Sequence, residues 1–170
     1  GRIQPEAGIV GAGGRRFGLR GLRGHKGIEG HFCRVQRSRR PSAVLLIDID
    51  HFKSLNDRHG HLAGDRMIEH VGALIRSGLR ASDMACRWGG EEFLVVLKDC
   101  AADDARQRAE TLRALIGASP LSISGAAVTA TVSVGVTAFA TDDTPVRLVD
   151  RADRALYAAK GAGRDRVEMA

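Results

Sequence analysis

The sequence predicts a domain that mixes helices with strands, on three observations. Two apolar runs, Ala43-Val44-Leu45-Leu46-Ile47 and Phe93-Leu94-Val95-Val96-Leu97, have the length and content of short buried strands. Gly89-Gly90 separates the second run from Met84-Ala85-Cys86. Glycine takes a positive φ without steric penalty, so this is the place of a tight hairpin turn. Elsewhere apolar residues recur at helical spacing in three long stretches and at period two in another. The order of strands within a sheet does not follow from periodicity.

The chain opens on residues 1–40, which carry no defensible periodicity. Nine glycines from Gly8 to Gly30 interrupt every candidate helix, each at up to about 1 kcal/mol relative to Ala. Residues 1–42 hold ten Arg/Lys against two Glu, a net of +8, so the overall +6 is concentrated there. That composition reads as a poorly ordered basic segment. The sharper alternative is an arm for nucleic acid or acidic lipid. Only Phe17 and Phe32 offer aromatic faces there, and no specific nucleic-acid partner is expected.

The ordered part begins at Ser42. After the strand 43–47, a polar stretch from His51 to Asp65 predicts a helix starting near Asn56 or just before it and a turn at Gly60. A long amphipathic helix follows Gly64-Asp65, with Met67, Ile68, Val71, Leu74, Ile75 and Leu79 on its buried face. Asp65 at its start would favour the helix dipole. His70 lies beside the buried face and reads as a surface residue. Arg80-Ala81-Ser82-Asp83 closes this helix; as an exposed charge pair it would contribute little. Beyond the hairpin, Asp99 and residues 101–104 begin a helix with Ala105, Ala109, Leu112, Leu115 and Ile116 inward, stopped by Gly117 to Pro120. Ala127 to Phe139 alternates as one half-buried strand. Asp142-Asp143-Thr144-Pro145 caps a last helix, with proline at an early position. Arg164 to Val167 reads as a short closing strand.

Composition excludes several classes. A chain of 170 residues can bury a real core. Three cysteines without C-x-x-C spacing argue against a disulfide framework or zinc site and fit a reducing compartment. No apolar run approaches the roughly 18 residues of a membrane span, and no signal-peptide pattern is seen. The expected setting is the cytoplasm, alone or as the cytosolic part of a membrane-anchored sensor.

The chemistry is carried by two acidic pairs. Asp48 and Asp50 follow the first apolar strand, and Glu91-Glu92 follows the two glycines. A carboxylate at the end of a buried strand is costly unless something compensates it. Hard Mg²⁺ takes oxygen ligands, typically one or two carboxylates together with substrate phosphates. Asp48 beside Glu91 is therefore a candidate metal site for phosphoryl chemistry.

These residues also form an ordered series. Asp48-Ile49-Asp50-His51-Phe52-Lys53 leads to Asn56-Asp57, then Gly60-His61-Leu62-Ala63-Gly64-Asp65. Arg87-Trp88-Gly89-Gly90-Glu91-Glu92-Phe93 and Thr131-Val132-Ser133-Val134-Gly135 follow. Ala152 to Lys160 and Gly163-Arg164 close the series. It closely resembles GGDEF-domain diguanylate cyclases, across residues 41–168.

The resemblance implies a palm-like α+β domain at 41–170, with a central, mainly antiparallel sheet wrapped by helices. It implies condensation of two GTP into cyclic di-GMP and two pyrophosphates by a homodimer. Asp48, the Ile49 carbonyl, Glu91 and Glu92 would hold two Mg²⁺ ions per site, with Mn²⁺ as the alternative. Glu92 could instead serve the attacking hydroxyl. Asn56 and Asp65 would read guanine, with Phe52 and Lys53 beside them. Gly89 and Gly90 would admit the phosphates. Arg87, Lys160 and Arg164 would meet the triphosphate, although basic residues at a helix end also favour the dipole. Arg80 and Asp83 match an R-x-x-D motif through which cyclic di-GMP inhibits. The family's D-x-L-T-G-L-x-N-R-R turn is absent from residues 1–40; Gly14-Arg15-Arg16-Phe17 is its faintest echo. A catalytically silent module binding GTP or cyclic di-GMP is the alternative reading.

Overall fold

In a computed structural model, the described residues are 9–10, 16–17, 35, 37, 40–140 and 143–170. Ile9–Val10 (β1) and Arg16–Phe17 (β2) pair antiparallel, strands too short to leave a periodicity. Val35 and Arg37 are helical, and Val35 is buried. The poorly ordered basic segment expected at 1–40 otherwise lies outside the described residues, as does Asp142.

The first apolar run extends further than expected. It forms β3, Ala43–Ile49, so Asp48 lies within the strand. Met84–Gly89 (β4) and Glu92–Leu97 (β5) form the hairpin. The closing strand, Val167–Met169 (β9), starts later than expected because Arg164 and Asp165 adopt left-handed backbone. The stretch expected as one strand at 127–139 is two. Ala126–Val128 (β7) turns back on Leu121–Ile123 (β6), and Val132–Ala138 (β8) enters the main sheet. Ala130, Val132, Val134 and Val136 nevertheless share one core, as their alternation predicts.

The main sheet has the order β4-β5-β3-β8-β9. Its pairs are antiparallel except β8 with β9. Phe52–His59 (α1) and His61–Ser77 (α2) follow β3. The first helix starts four residues before Asn56, and the second starts at His61, so Asp65 is inside α2 and does not cap it. Ala102–Gly117 (α3) carries Asp103 and Asp104 in its first turn. Pro145–Gly161 (α4) is capped as expected, with the Thr144 hydroxyl accepting from the Arg147 N–H at 3.3 Å.

Period two decides which helix covers which face. Ala43, Leu45, Ile47 and Ile49 pack with Met67, Val71 and Ile75 of α2 and Ala105, Ala109 and Leu112 of α3. Val44 and Leu46 point the other way, with Leu94, Val96 and Trp88, toward Leu148, Val149, Ala152 and Leu156 of α4. A β3 side chain fully buried in either cluster stabilises by about 1.5–3 kcal/mol. Asp48 continues the even-numbered row, and this places its carboxylate under α4. His70 is half-buried, with Nε2 2.9 Å from the Ser119 carbonyl oxygen. It is a tie between α2 and the loop after α3 rather than a free surface group. Among the described residues, no helix is long and apolar enough to cross a membrane.

Candidate active site at the acidic hairpin

Asp48 stands opposite Glu92 on one side and Ser133 on the other. All three are buried, Asp48 at 4% exposure and Glu92 at 5%. The Lys160 ammonium, on the last turn of α4, lies 2.7 Å from Asp48 Oδ2. This ion pair is off ideal hydrogen-bond alignment, and Oδ2 accepts from no other group among the described residues. Burial pushes the Asp48 carboxyl above its ordinary value. Lys160 opposes that only in part, while the Glu91 and Asp50 carboxylates add to it.

The hairpin differs by one residue from the expected Gly-Gly turn. Gly89 is the last residue of β4 and pairs with Glu92, leaving Gly90-Glu91 as the loop. Gly90 has φ +49°, as a tight hairpin with glycine at its first loop position requires. Arg87 pairs with Phe93 and Gly89 with Glu92, so Trp88 is a bulge. Bulges re-aim side chains and cluster beside active sites; this one turns Trp88 into the core beneath α4. The Arg87 Nε–H donates to the Gly90 carbonyl at 2.7 Å and braces the loop. The Ile49 N–H donates to the Glu91 carbonyl at 3.3 Å. Glu91 is thereby pinned beside the end of β3. A Cβ at Gly89 would meet nothing within 4 Å. Neither its φ nor its packing asks for glycine.

A second group forms where α1 meets α2. A Cβ at Gly64 would fall 1.9 Å from Asn56 Oδ1 and 3.0 Å from Phe52 Cζ, so both side chains lie against bare backbone. Asn56 Oδ1 is buried without a hydrogen-bond donor. Asp65 is the exposed neighbour of Gly64, and Lys53 is exposed on α1. Arg164, also exposed, follows α4 by three residues, with its N–H donating to the Ala159 carbonyl at 3.0 Å. The structure thus brings together Asp48, Ile49, Glu91, Glu92 and Lys160, and separately Phe52, Asn56 and Asp65.

Arg80 and Asp83 lie elsewhere. They precede Met84 at the far end of β4, about 17 Å of strand from the loop. They do not form the exposed charge pair considered above. The Asp83 side chain is excluded from solvent and accepts from Arg108 Nη2 at 2.6 Å, the Arg80 N–H at 2.9 Å and the Lys98 N–H at 3.3 Å. Burial alone would raise its carboxyl, but Arg108 and the two backbone donors outweigh that and hold it below the usual range. Arg80 itself is exposed.

Sequence reasoning also grouped Asp50 with Asp48, and the structure separates them. Asp50 accepts from the Ser133 hydroxyl at 2.7 Å, the Thr131 hydroxyl at 2.8 Å and the Asp165 N–H at 3.1 Å. The Thr131-Val132-Ser133 run was the available signal, because its two hydroxyls share one face of a strand. Among the described residues, no three His, Cys, Asp or Glu side chains converge as a ready metal cluster.

A mainly antiparallel sheet with helices on both faces and acids at adjoining strand ends defines a palm-like α+β domain. Residues 25–166 match the family described as "Diguanylate cyclase, GGDEF domain". The chain is 42% identical over 143 residues to the diguanylate cyclase DgcP of Pseudomonas aeruginosa, covering 84% of this chain and 21% of that protein. It is 42% identical over 130 residues to the response regulator PleD of Caulobacter vibrioides, covering 75% and 29%. It therefore spans well under half the length of these relatives. The GGDEF domain of DgcB from Caulobacter crescentus, solved with c-di-GMP, superposes with a TM-score of 0.81 at 27% identity, covering 99% of this chain and 97% of that one. An active GGEEF domain of a Vibrio cholerae diguanylate cyclase gives 0.75 at 32%, covering 82% and 89%. This chain belongs to the GGDEF-domain diguanylate cyclase family.

Proposed function

We propose that the chain condenses two GTP molecules into cyclic di-GMP. Each 3′-oxygen bonds to the α-phosphorus of the opposite nucleotide, the bond to the β-phosphate oxygen breaks, and pyrophosphate leaves. The observation that carries this reading is the buried Oδ2 of Asp48, met by Lys160 alone, beside the pinned Glu91 and the buried Glu92. Such an all-oxygen set suits Mg²⁺, and Lys160 already supplies positive charge there. Asp48, Glu91, Glu92 and the Ile49 carbonyl would hold two ions, Mg²⁺ or alternatively Mn²⁺. Bound there, the metal neutralises developing charge on phosphate oxygens.

The chain's own residues supply the rest. Asn56, wedged against Gly64, and Asp65 beside it match the acceptor and donor groups of a guanine edge, with Phe52 against the same backbone and Lys53 on the same helix. Lys160 and Arg164 meet the triphosphate, and the open side of Gly89-Gly90 lets it approach. Arg87 contributes by holding the loop. Glu92, buried opposite Asp48, either joins the metals or takes the 3′-hydroxyl proton. One chain holds one GTP, so two copies must face each other across their hairpins. Arg80, with its backbone N–H fixed by Asp83, forms an outlying site at which the product inhibits.

The test is incubation of the purified chain with GTP and Mg²⁺, with nucleotides resolved by chromatography and Glu91→Gln as control. Cyclic di-GMP from the wild type alone supports the reading. Absence of product from folded, concentrated protein overturns it in favour of a silent nucleotide-binding module.

A further inference from the structure

Asp50 is a carboxylate buried to 6% exposure whose three hydrogen-bond donors are all uncharged. Asparagine would be the cheaper choice if this were only packing. Its NH₂ could face only a hydroxyl oxygen, because the Asp165 N–H can do nothing but donate. Ser133 Oγ–H points at Oδ1, while Thr131 Oγ–H and the Asp165 N–H both point at Oδ2. An amide could keep its oxygen on Thr131 and the Asp165 N–H and turn its NH₂ to the Ser133 oxygen, but all three bonds would lose the strengthening of an ionised acceptor.

What those donors secure is a strained turn. After α4, Gly163, Arg164 and Asp165 have φ of +114°, +66° and +43°. Glycine adopts this region freely, but arginine and aspartate do so at about 1–3 kcal/mol each, and only where surrounding contacts hold them. Arg164 is held by its own N–H on the Ala159 carbonyl at 3.0 Å and by the Arg166 Nε–H on its carbonyl at 3.3 Å, and two further contacts hold Asp165. Asp50 takes the Asp165 N–H from the buried side, and Arg113 Nη1 reaches Asp165 Oδ1 at 2.6 Å from α3. The residue whose direction this turn sets is Arg164. Asp48 meanwhile meets Lys160 directly, one turn earlier on the same helix end.

We infer that Asp50 is a positioning residue for nucleotide binding. Through the Asp165 backbone it aims Arg164 at the triphosphate, beside Lys160. The two aspartates of one strand end thus organise the two cations of one helix end, Asp48 by direct contact and Asp50 at one remove. The inference rests on the assignment of Arg164 to the triphosphate in the preceding reading.

The experiment is a double-mutant cycle on the full chain, titrating a non-reactive GTP analogue with Mg²⁺ by calorimetry, with guanosine as the phosphate-free control. Folding is checked by circular dichroism. Asp50→Asn and Arg164→Ala should each weaken analogue binding about tenfold, as for one lost charge-assisted contact. The double variant should be no weaker than Arg164→Ala within about twofold, and guanosine affinity should not move. Thr131→Val keeps the carboxylate but loosens it. It should weaken the analogue about threefold, again only while Arg164 is present, and it decides the matter if Asp50→Asn does not fold. Additive losses, or equal losses for guanosine, would reduce Asp50 to a structural residue and leave the cyclase reading standing. Undiminished binding by Arg164→Ala would overturn the inference through its premise. A wild-type chain that binds no analogue would overturn the cyclase reading and the inference together.

Discussion

Asp48 and Asp83 are buried at opposite ends of the same sheet, and the fold treats them in opposite ways. Asp83 receives Arg108 and two backbone N–H groups, and its carboxyl is held below the ordinary range. Asp48 receives one ammonium off ideal hydrogen-bond alignment, and its carboxyl is pushed up. A saturated carboxylate stabilises the fold. One with a single cation for company leaves room for further positive charge, which on the proposed reading a substrate-borne metal would supply. The difference separates a structural acid from a chemical one more clearly than burial does, since both are buried.

The comparison can be broken at several points. Glu91→Gln removes an acid from the Asp48 end and should cut cyclic di-GMP formation by about 10²–10³-fold with the thermal midpoint little changed; unimpaired turnover would remove Glu91 from the site. At the saturated end, Asp83→Ala leaves Arg108 unpartnered and should cost about 3 kcal/mol in denaturant unfolding. The native Asp83 contribution is present above the ordinary carboxylate pKa of about 3.9 and is lost as pH falls through its lower folded value. Stability of the wild type should therefore fall toward that of Asp83→Ala only in acid.

Arg80→Ala should shift the cyclic di-GMP inhibition curve about tenfold toward higher product concentration, as for one lost charged contact. An unmoved curve would leave Arg80 as a helix-end charge.

The smallest effect on stability has the opposite sign. Asp48→Asn should abolish product yet stabilise the metal-free chain, on the order of 1 kcal/mol, as relief of strained functional sites commonly does. The raised folded pKa means that the charged form is penalised at neutral pH and the penalty fades as pH falls through that value. The gain measured by thermal unfolding should therefore shrink in acid. Destabilisation at neutral pH would show that Lys160 saturates Asp48 after all.

Much of this was legible in the chain. Period two over β3 and β8 and helical spacing over α2, α3 and α4 follow from local apolar pattern, and Thr144-Pro145 announces a helix start by chemistry confined to a few residues. The candidate site was legible for the same reason, since Asp48 and Glu91-Glu92 adjoin apolar runs that must pair. Boundaries were less so. The turn falls at Gly90-Glu91 because a bulge at Trp88 shifts the register, and bulges leave no signature in alternation. The run 127–139 splits because its first residues pair with β6, a choice made by a neighbouring strand.

By itself, then, the sequence determined the elements, the acidic hairpin and the motif series that places the chain in its family, because each depends on neighbours a few residues away. The tertiary structure alone decided which acid is saturated and which is not. Asp83 takes the side chain of Arg108, 25 residues on, and of Arg80 only the backbone N–H. Asp50 is filled by donors 81, 83 and 115 residues away, while Asp48, two positions earlier, is not. A carboxylate's charge state is a sum over burial and every donor within reach, and those donors are assembled only when the chain closes on itself.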